Sequence, residues 1–193
     1  MKTESREWKE LEKECAACEN CLLCQTRKHT VFGVGNRHAD IMFIGEGPGQ
    51  QEDLQGVPFV GPAGQLLDEM LNIIDLNRNN CYITNIVKCR PPKNRDPLPI
   101  EQDACIPFLW RQIELVQPKI LVCLGRIAGK RLISSELRIT QEHGQWLFRK
   151  DMWVTAFFHP SALLRDPMLR PEAFDDLMIL RDKIEELQID INT

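Results

Sequence analysis

Four stretches of this chain carry side chains whose types and spacing could do chemistry. The first is Gly45-Glu46-Gly47-Pro48-Gly49-Gln50-Gln51-Glu52, which follows the apolar run Ile41-Met42-Phe43-Ile44. Glycines let a backbone approach a ligand closely, and a carboxylate among them can orient a water or face a developing cation. The second is Asn85, near the end of the apolar run Tyr82-Ile83-Thr84-Asn85-Ile86-Val87. A carboxamide buried there must be hydrogen-bonded, so it either ties down a loop or reads a ligand. The third is His159-Pro160-Ser161 after Trp153-Val154-Thr155-Ala156-Phe157-Phe158. A histidine there can anchor the loop or stabilise charge on a departing oxygen. The fourth is Cys15, Cys18, Cys21 and Cys24, where C-x-x-C occurs three times in succession. That spacing brings two thiolates onto one metal or cluster.

The glycine loop is a poor dinucleotide site. It reads G-x-G-P-G rather than G-x-G-x-x-G, and Pro48 removes an amide that a pyrophosphate would use. No G-x-x-x-x-G-K-[ST] occurs. Its bland alternative is a tight strand-to-helix turn with solvated acids. The chain has 193 residues, a length that fits one domain with a real core. No apolar run approaches the ~20 residues of a membrane helix. The polar start Met1-Lys2-Thr3-Glu4-Ser5-Arg6-Glu7 has no secretory apolar region, so the expected location is the cytoplasm. In that compartment the eight cysteines are expected as thiols or metal ligands, not disulfides. The net charge of −4 argues against a general nucleic-acid coat but leaves room for a local basic groove. Lys88-Cys89-Arg90-Pro91-Pro92-Lys93-Asn94-Arg95 is either such a groove or a solvated Pro-rich loop.

These residues need elements to position them. Periodicity predicts a helix over 4–15, with Trp8, Leu11 and Cys15 on one face, then a cysteine-rich loop over 16–30. Val31 to Asn36, with Gly33 and Gly35, reads as a strand end or bulge. Strands are expected at 41–44, 81–87, 119–124 and 153–158. Between them lie a helix running through 75, a turn at Asn77-Arg78-Asn79-Asn80, a helix over about 99–116 and a short helix after Gly125. Pro107 predicts a kink or early break in the 99–116 helix. A final amphipathic helix follows Pro171 to about Gln188. The alternation predicts an α/β fold, a three-layer αβα arrangement around a mainly parallel four-stranded sheet. The carboxyl ends of parallel strands share one edge, so Glu46 and Gly47, Asn85 and His159 can meet in one cleft. Phe59, alone between glycines and prolines, is either a core plug or a stacking surface beside it. An acid, a carboxamide, an aromatic and a histidine describe a pocket for a small planar polar group, and the carboxamide matches a pyrimidine edge.

In these residues the chain resembles the family 4 uracil-DNA glycosylases, the iron–sulfur branch of the uracil-DNA glycosylase superfamily. The matching segments are Gly45 to Asp53, Gly56-Val57-Pro58-Phe59-Val60-Gly61, Tyr82 to Pro92, and His159-Pro160-Ser161-Ala162-Leu163-Leu164-Arg165. The resemblance covers roughly residues 15–187. It implies a monofunctional DNA-repair enzyme that flips uracil out of DNA, hydrolyses its N-glycosidic bond and leaves an abasic site. It implies that Glu46 orients the attacking water or stabilises the cationic sugar, and that His159 stabilises the departing uracil anion. Gly47 and Glu52 would line and support the pocket, Phe59 would stack on uracil, Asn85 would read its edge, and Asn94 would be a further pocket residue. Pro160, Ser161, Leu163, Leu164 and Arg165 would press into the DNA where the base has left. A 4Fe-4S cluster is implied as a structural cofactor. Cys89 and Cys105, with fifteen residues between them, match one half of its pattern. The family's distance to Val31-Phe32-Gly33-Val34-Gly35 selects Cys18 and Cys21 for the other, leaving Cys15 and Cys24 as spares. The partner is uracil-containing DNA, single- or double-stranded, and the expected state is a monomer.

Three departures stand out. Gln50 and Gln51 replace frequent acids, Ala162 replaces a frequent tyrosine, and Glu142-His143-Gly144 replaces an Arg-Gly pair. None touches the pocket residues. The Pro-rich loop lacks the Arg/His-rich insertion of the uracil-crosslinking branch, so no covalent product is expected. Two rivals remain: a non-catalytic iron–sulfur DNA-binding or polymerase-associated module on the same fold, and an electron-transfer protein. Intact Glu46, Asn85 and His159 weigh against the first, and the second leaves the strand-end cleft unexplained.

Overall fold

Residues 6–191 are described by a computed structural model. The apolar runs become β2 (Ile41–Gly45), β3 (Tyr82–Asn85), β4 (Ile120–Leu124) and β6 (Met152–Phe157), and β1 (Val34–Gly35) and β5 (Leu147–Arg149) are short. The sheet order is β1-β3-β2-β4-β6-β5. The four central strands run parallel, as the alternation of strands and helices predicts. Two antiparallel edge strands extend them. The β1 edge falls inside the 31–36 stretch read as a strand end or bulge, while β5 lies outside every expected strand, and neither edge has a pattern that would bound it. The β1 strand has two residues, one of them glycine, and all three residues of β5 are exposed. Neither shows the inside–outside alternation that marks a strand.

Within β2 the side chains divide between two cores. Met42 and Ile44 face a cluster with Trp8, Tyr82, Leu109 and Leu121. Ile41 and Phe43 face another with Leu67, Leu71, Val122, Leu177 and Leu180. The first core is roofed by α1 (Arg6–Ala16) and α4 (Pro99–Val116), the second by α3 (Pro62–Asn72) and α8 (Arg170–Glu186). Each buried Leu, Ile or Phe side chain contributes about 1.5–3 kcal/mol, so few contacts are needed to dock a helix. The polar α1 buries Trp8, Leu11 and Cys15, and Trp8 packs edge-on against Phe32.

Shorter helices close the loops: α2 (Gln50–Gln55), α5 (Arg126–Leu132), α6 (Ile139–Glu142) and α7 (Pro160–Arg165). The expected break at Pro107 does not occur, and α4 runs unbroken through it. Pro107 sits on the solvent face, where water can satisfy the carbonyl one turn earlier. Buried Cys105, Ile106, Phe108, Leu109 and Ile113 hold the helix on both sides of it. The α3 helix ends at Asn72 rather than 75, because the chain turns there to reach the left-handed Asp75. Residues 4 and 5 of the expected 4–15 helix, and the first five of the seven residues of the polar start read as lacking a signal, lie outside the described residues. Among the described residues no helix is long and apolar enough to cross a membrane.

Candidate active site and cysteine recess

The sheet register brings the pocket together. Gly45 pairs with Asn85 across β2 and β3, and Leu124 pairs with Phe157, two residues before His159. A cleft of about 560 Å³ opens at this edge, lined by Glu46, Gly47, Glu52, Phe59, Asn85, Asn94, His159, Ser161, Leu164 and Arg165 among others. Every expected catalytic and uracil-binding position is therefore in one cavity. Of the five expected DNA-contacting positions, Pro160 and Leu163 are not free to press into DNA. Both are buried, and Leu163, 1% exposed, belongs to the second core. They anchor α7, and the exposed surface there is left to Ser161, Leu164 and Arg165.

Asn85 forms the floor. It is 2% exposed, and its Oδ1 has no hydrogen-bond partner among the described residues. A Cβ at Gly45 would stand 2.4 Å from that oxygen and 2.5 Å from the Phe59 ring. Gly45 is therefore the space that lets the carboxamide and the ring approach each other. Phe59 lies with its ring centroid 5.7 Å from that of His159, at 30° between planes. Glu52, on α2, is turned away from chemistry: its Oε1 accepts the Val60 and Gly61 amides at 2.9 and 2.8 Å. It fixes the loop that carries Phe59. Asn94 has a left-handed backbone, φ +54, and its Oδ1 accepts from Arg90 Nε at 2.8 Å.

His159 caps α7. Its Nδ1 accepts the Ser161 amide at 3.1 Å and lies 2.8 Å from Ser161 Oγ. An amide can only donate, so Nδ1 carries no proton and the neutral ring holds its proton on Nε2. Burial, helped by Arg165, pushes its pKa down to about 4. The imidazole is thus neutral at neutral pH. Glu46 is moved the other way: burial and then nearby Asp96 raise its carboxyl to about 7, against the pull of Arg126 and Arg165.

Away from the pocket, Cys15, Cys18, Cys21, Cys24, Cys89 and Cys105 line one recess with Arg27 and Lys88. Among the described residues, no three His, Cys, Asp or Glu side chains gather closely enough to hold a single metal ion. A four-iron cluster asks for something else, one thiolate for each iron corner. The donor set fits that group. Two cysteine pairs from distant segments face one space, and donors point at the sulfurs. Arg27 Nη1 reaches Cys89 Sγ at 3.4 Å, and the Lys88 amide donates to Cys105 Sγ at 3.2 Å. Burial pushes the Cys89 thiol up to about 11 despite Arg27. Cys15 is also buried in this recess, closer to the expected ligands than its place outside the spacing pattern implied. Cys123, within β4, is packing, and Cys81 Sγ donates to Asn77 O.

In the stretch read as a basic groove or solvated Pro-rich loop, Pro92 to Arg95 are exposed, but Lys88 departs from that reading. It is 1% exposed, and its Nζ donates to Thr84 Oγ1 at 2.6 Å and Asn85 O at 2.7 Å. It is a brace between the cysteine segment and the strand end bearing Asn85, not a surface cation. Its position directly after the apolar Ile86-Val87 was the available signal. A second brace joins the segment after the cysteines to α2: Asp53 accepts the Lys28 amide at 2.8 Å, and its carbonyl lies 3.0 Å from His29 Nδ1.

The parallel sheet thus gathers this acid, carboxamide, ring and imidazole into one cleft at its strand ends. Residues 32–179 match the model of the Uracil DNA glycosylase superfamily. Three similar curated proteins are each named Type-4 uracil-DNA glycosylase. That of Thermotoga maritima is 46% identical, with 80% of each chain covered. That of Archaeoglobus fulgidus is 44% identical, covering 85% of this chain and 86% of the relative. That of Sulfurisphaera tokodaii is 42% identical, covering 89% and 82%. The chain belongs to the uracil DNA glycosylase superfamily, in its type-4 family.

Proposed function

We propose that this protein removes uracil from DNA by hydrolysing the N-glycosidic bond, leaving an abasic site. The observation that carries the reading is the unpartnered Asn85 Oδ1 at the pocket floor. A buried acceptor without a donor is costly, about 1–3 kcal/mol, and a pyrimidine N3–H meets that need. The neighbouring carboxamide NH2 can donate to O4 of the same ring, and Phe59 can stack on its face.

The reaction then follows from the charges. Cleavage places an electron pair on uracil N1, delocalised onto O2, and leaves oxocarbenium character at C1′. Neutral His159 donates its Nε2–H to O2, which stabilises the anion without needing a proton transfer. Ionised Glu46 faces the sugar, stabilises the cation and orients the water whose oxygen bonds to C1′. That water's proton leaves to Glu46 or solvent, and uracil departs as the anion. Ser161, Leu164 and Arg165 would meet the DNA around the flipped nucleotide. Cys18, Cys21, Cys89 and Cys105 would hold a 4Fe-4S cluster, which when bound would cross-link the N-terminal segment to the loop after β3 and to α4.

The direct test is a labelled oligonucleotide with one uracil, single-stranded or opposite A or G, scored for alkali-labile sites. Cleavage at uracil that disappears in Asn85→Ala is the expected result. No cleavage from a cluster-loaded preparation moves the reading to a binding module.

A pH profile tests Glu46. Its raised pKa means that the carboxylate is lost as pH falls through about 7. The single-turnover rate is therefore expected to climb with pH through that region, and Glu46→Gln is expected to be slow and flat there. A wild-type rate already level from about pH 5 to about pH 8 would remove the carboxylate from the mechanism.

A further inference from the structure

Phe59 occupies an unusual backbone conformation. Its φ is +54, a region that bulky residues adopt only when their surroundings force them to. The segment around it is gripped from two sides. The Glu52 carboxylate takes the amides of Val60 and Gly61. Opposite it, Arg78 Nη1 donates to Pro58 O at 2.9 Å, and Nη2 donates to Phe59 O. The guanidinium is itself fixed by Asp68 of α3, with Nε 2.9 Å from Oδ1 and Nη2 3.1 Å from Oδ2. The first turn of α3 adds a wall. A Cβ at Gly64 would lie 1.8 Å from Phe59 O, so only glycine lets that carbonyl reach its place.

The geometry points to Arg78 as a positioning residue for the reaction: by clamping the Pro58 and Phe59 carbonyls it holds the Phe59 ring in stacking position. The inference rests on the glycosylase reading above. Arg78 is 25% exposed and is not among the residues lining the cleft, so it touches no substrate. Its planar fork serves two carbonyls and one carboxylate at once, which a lysine cannot do. Without it, only the Glu52 side of the grip remains, and Phe59 can relax toward negative φ. The ring then swings away from Gly45 and His159, and the base loses its platform.

A double-mutant cycle on the single-turnover rate of uracil release tests this, with Phe59→Ala, Arg78→Met and the pair together. Arg78→Met is expected to lose about tenfold or more. Combined with Phe59→Ala it is expected to lose nothing further, because the ring through which it acts is gone. Losses that multiply, or Arg78→Met at the wild-type rate, overturn the inference while leaving the glycosylase reading intact. A wild-type protein that releases no uracil overturns both. Should Arg78→Met fail to give a cooperative melt, Arg78→Lys, which keeps the charge and loses the fork, goes through the same cycle with the same outcomes.

Discussion

Alanine at His159 is expected to slow uracil release by about 10²- to 10³-fold, the loss of one preorganised donor to a developing oxyanion. The fall should lie in kcat and not in KM, because the donor matters most when charge has moved onto O2. The protonation state sharpens this expectation. Nδ1 is committed to the Ser161 amide, so the proton stands on Nε2. With its pKa pushed down to about 4, the ring is uncharged at neutral pH. The imidazole therefore contributes no titration between about pH 5 and about pH 8, and any acid limb there belongs to Glu46. Single-turnover rates against pH for the wild type and His159→Ala check both points. Parallel profiles displaced by that factor are expected. An alanine variant within about threefold of wild type would leave His159 as a mere helix cap.

Much of this site was legible because strands betray where they end. The apolar runs before Gly45, around Asn85 and before His159 placed three polar groups at carboxyl ends, and a parallel sheet puts such ends on one edge. What periodicity misses is where a polar side chain turns once it is placed. Lys88 looks basic in a Pro-rich stretch, yet its stem runs inward and its ammonium is spent on Thr84 and Asn85 O. Leu163 looks like a wedge beside Leu164, but one helical step separates a core residue from a surface one. Phe59 was recognisable as a lone aromatic between glycines. Its left-handed backbone, and the Arg78 clamp behind it, depend on contacts about twenty residues apart in the chain, which no local pattern encodes. The short edge strand β5 was hidden for a different reason, since a strand of three exposed residues has no periodicity to read.

Serine at Cys89 is expected to give the largest loss of stability. The cysteine pairs lie 68 residues apart between Cys21 and Cys89. If the cluster is treated as a cross-link closing that loop, its removal costs about 4 kcal/mol. At about 2–4 °C per kcal/mol for a chain of this size, the melting temperature should fall by about 10 °C. Iron content and visible absorbance should fall with it. The damage should also reach the pocket, because the two braces run from this recess. Lys88 holds the Asn85 carbonyl, and the Lys28 and His29 segment holds Asp53 beside Glu52. DNA affinity is therefore expected to drop even at a temperature where the variant remains folded. Cys24→Ser, in contrast, should keep its iron and its melting temperature if Cys18 and Cys21 are the N-terminal ligands. A Cys89→Ser protein with unchanged melting temperature and DNA affinity would strip the recess of any structural part in the function. Iron loss in Cys24→Ser alone would move the ligand pair along the C-x-x-C series.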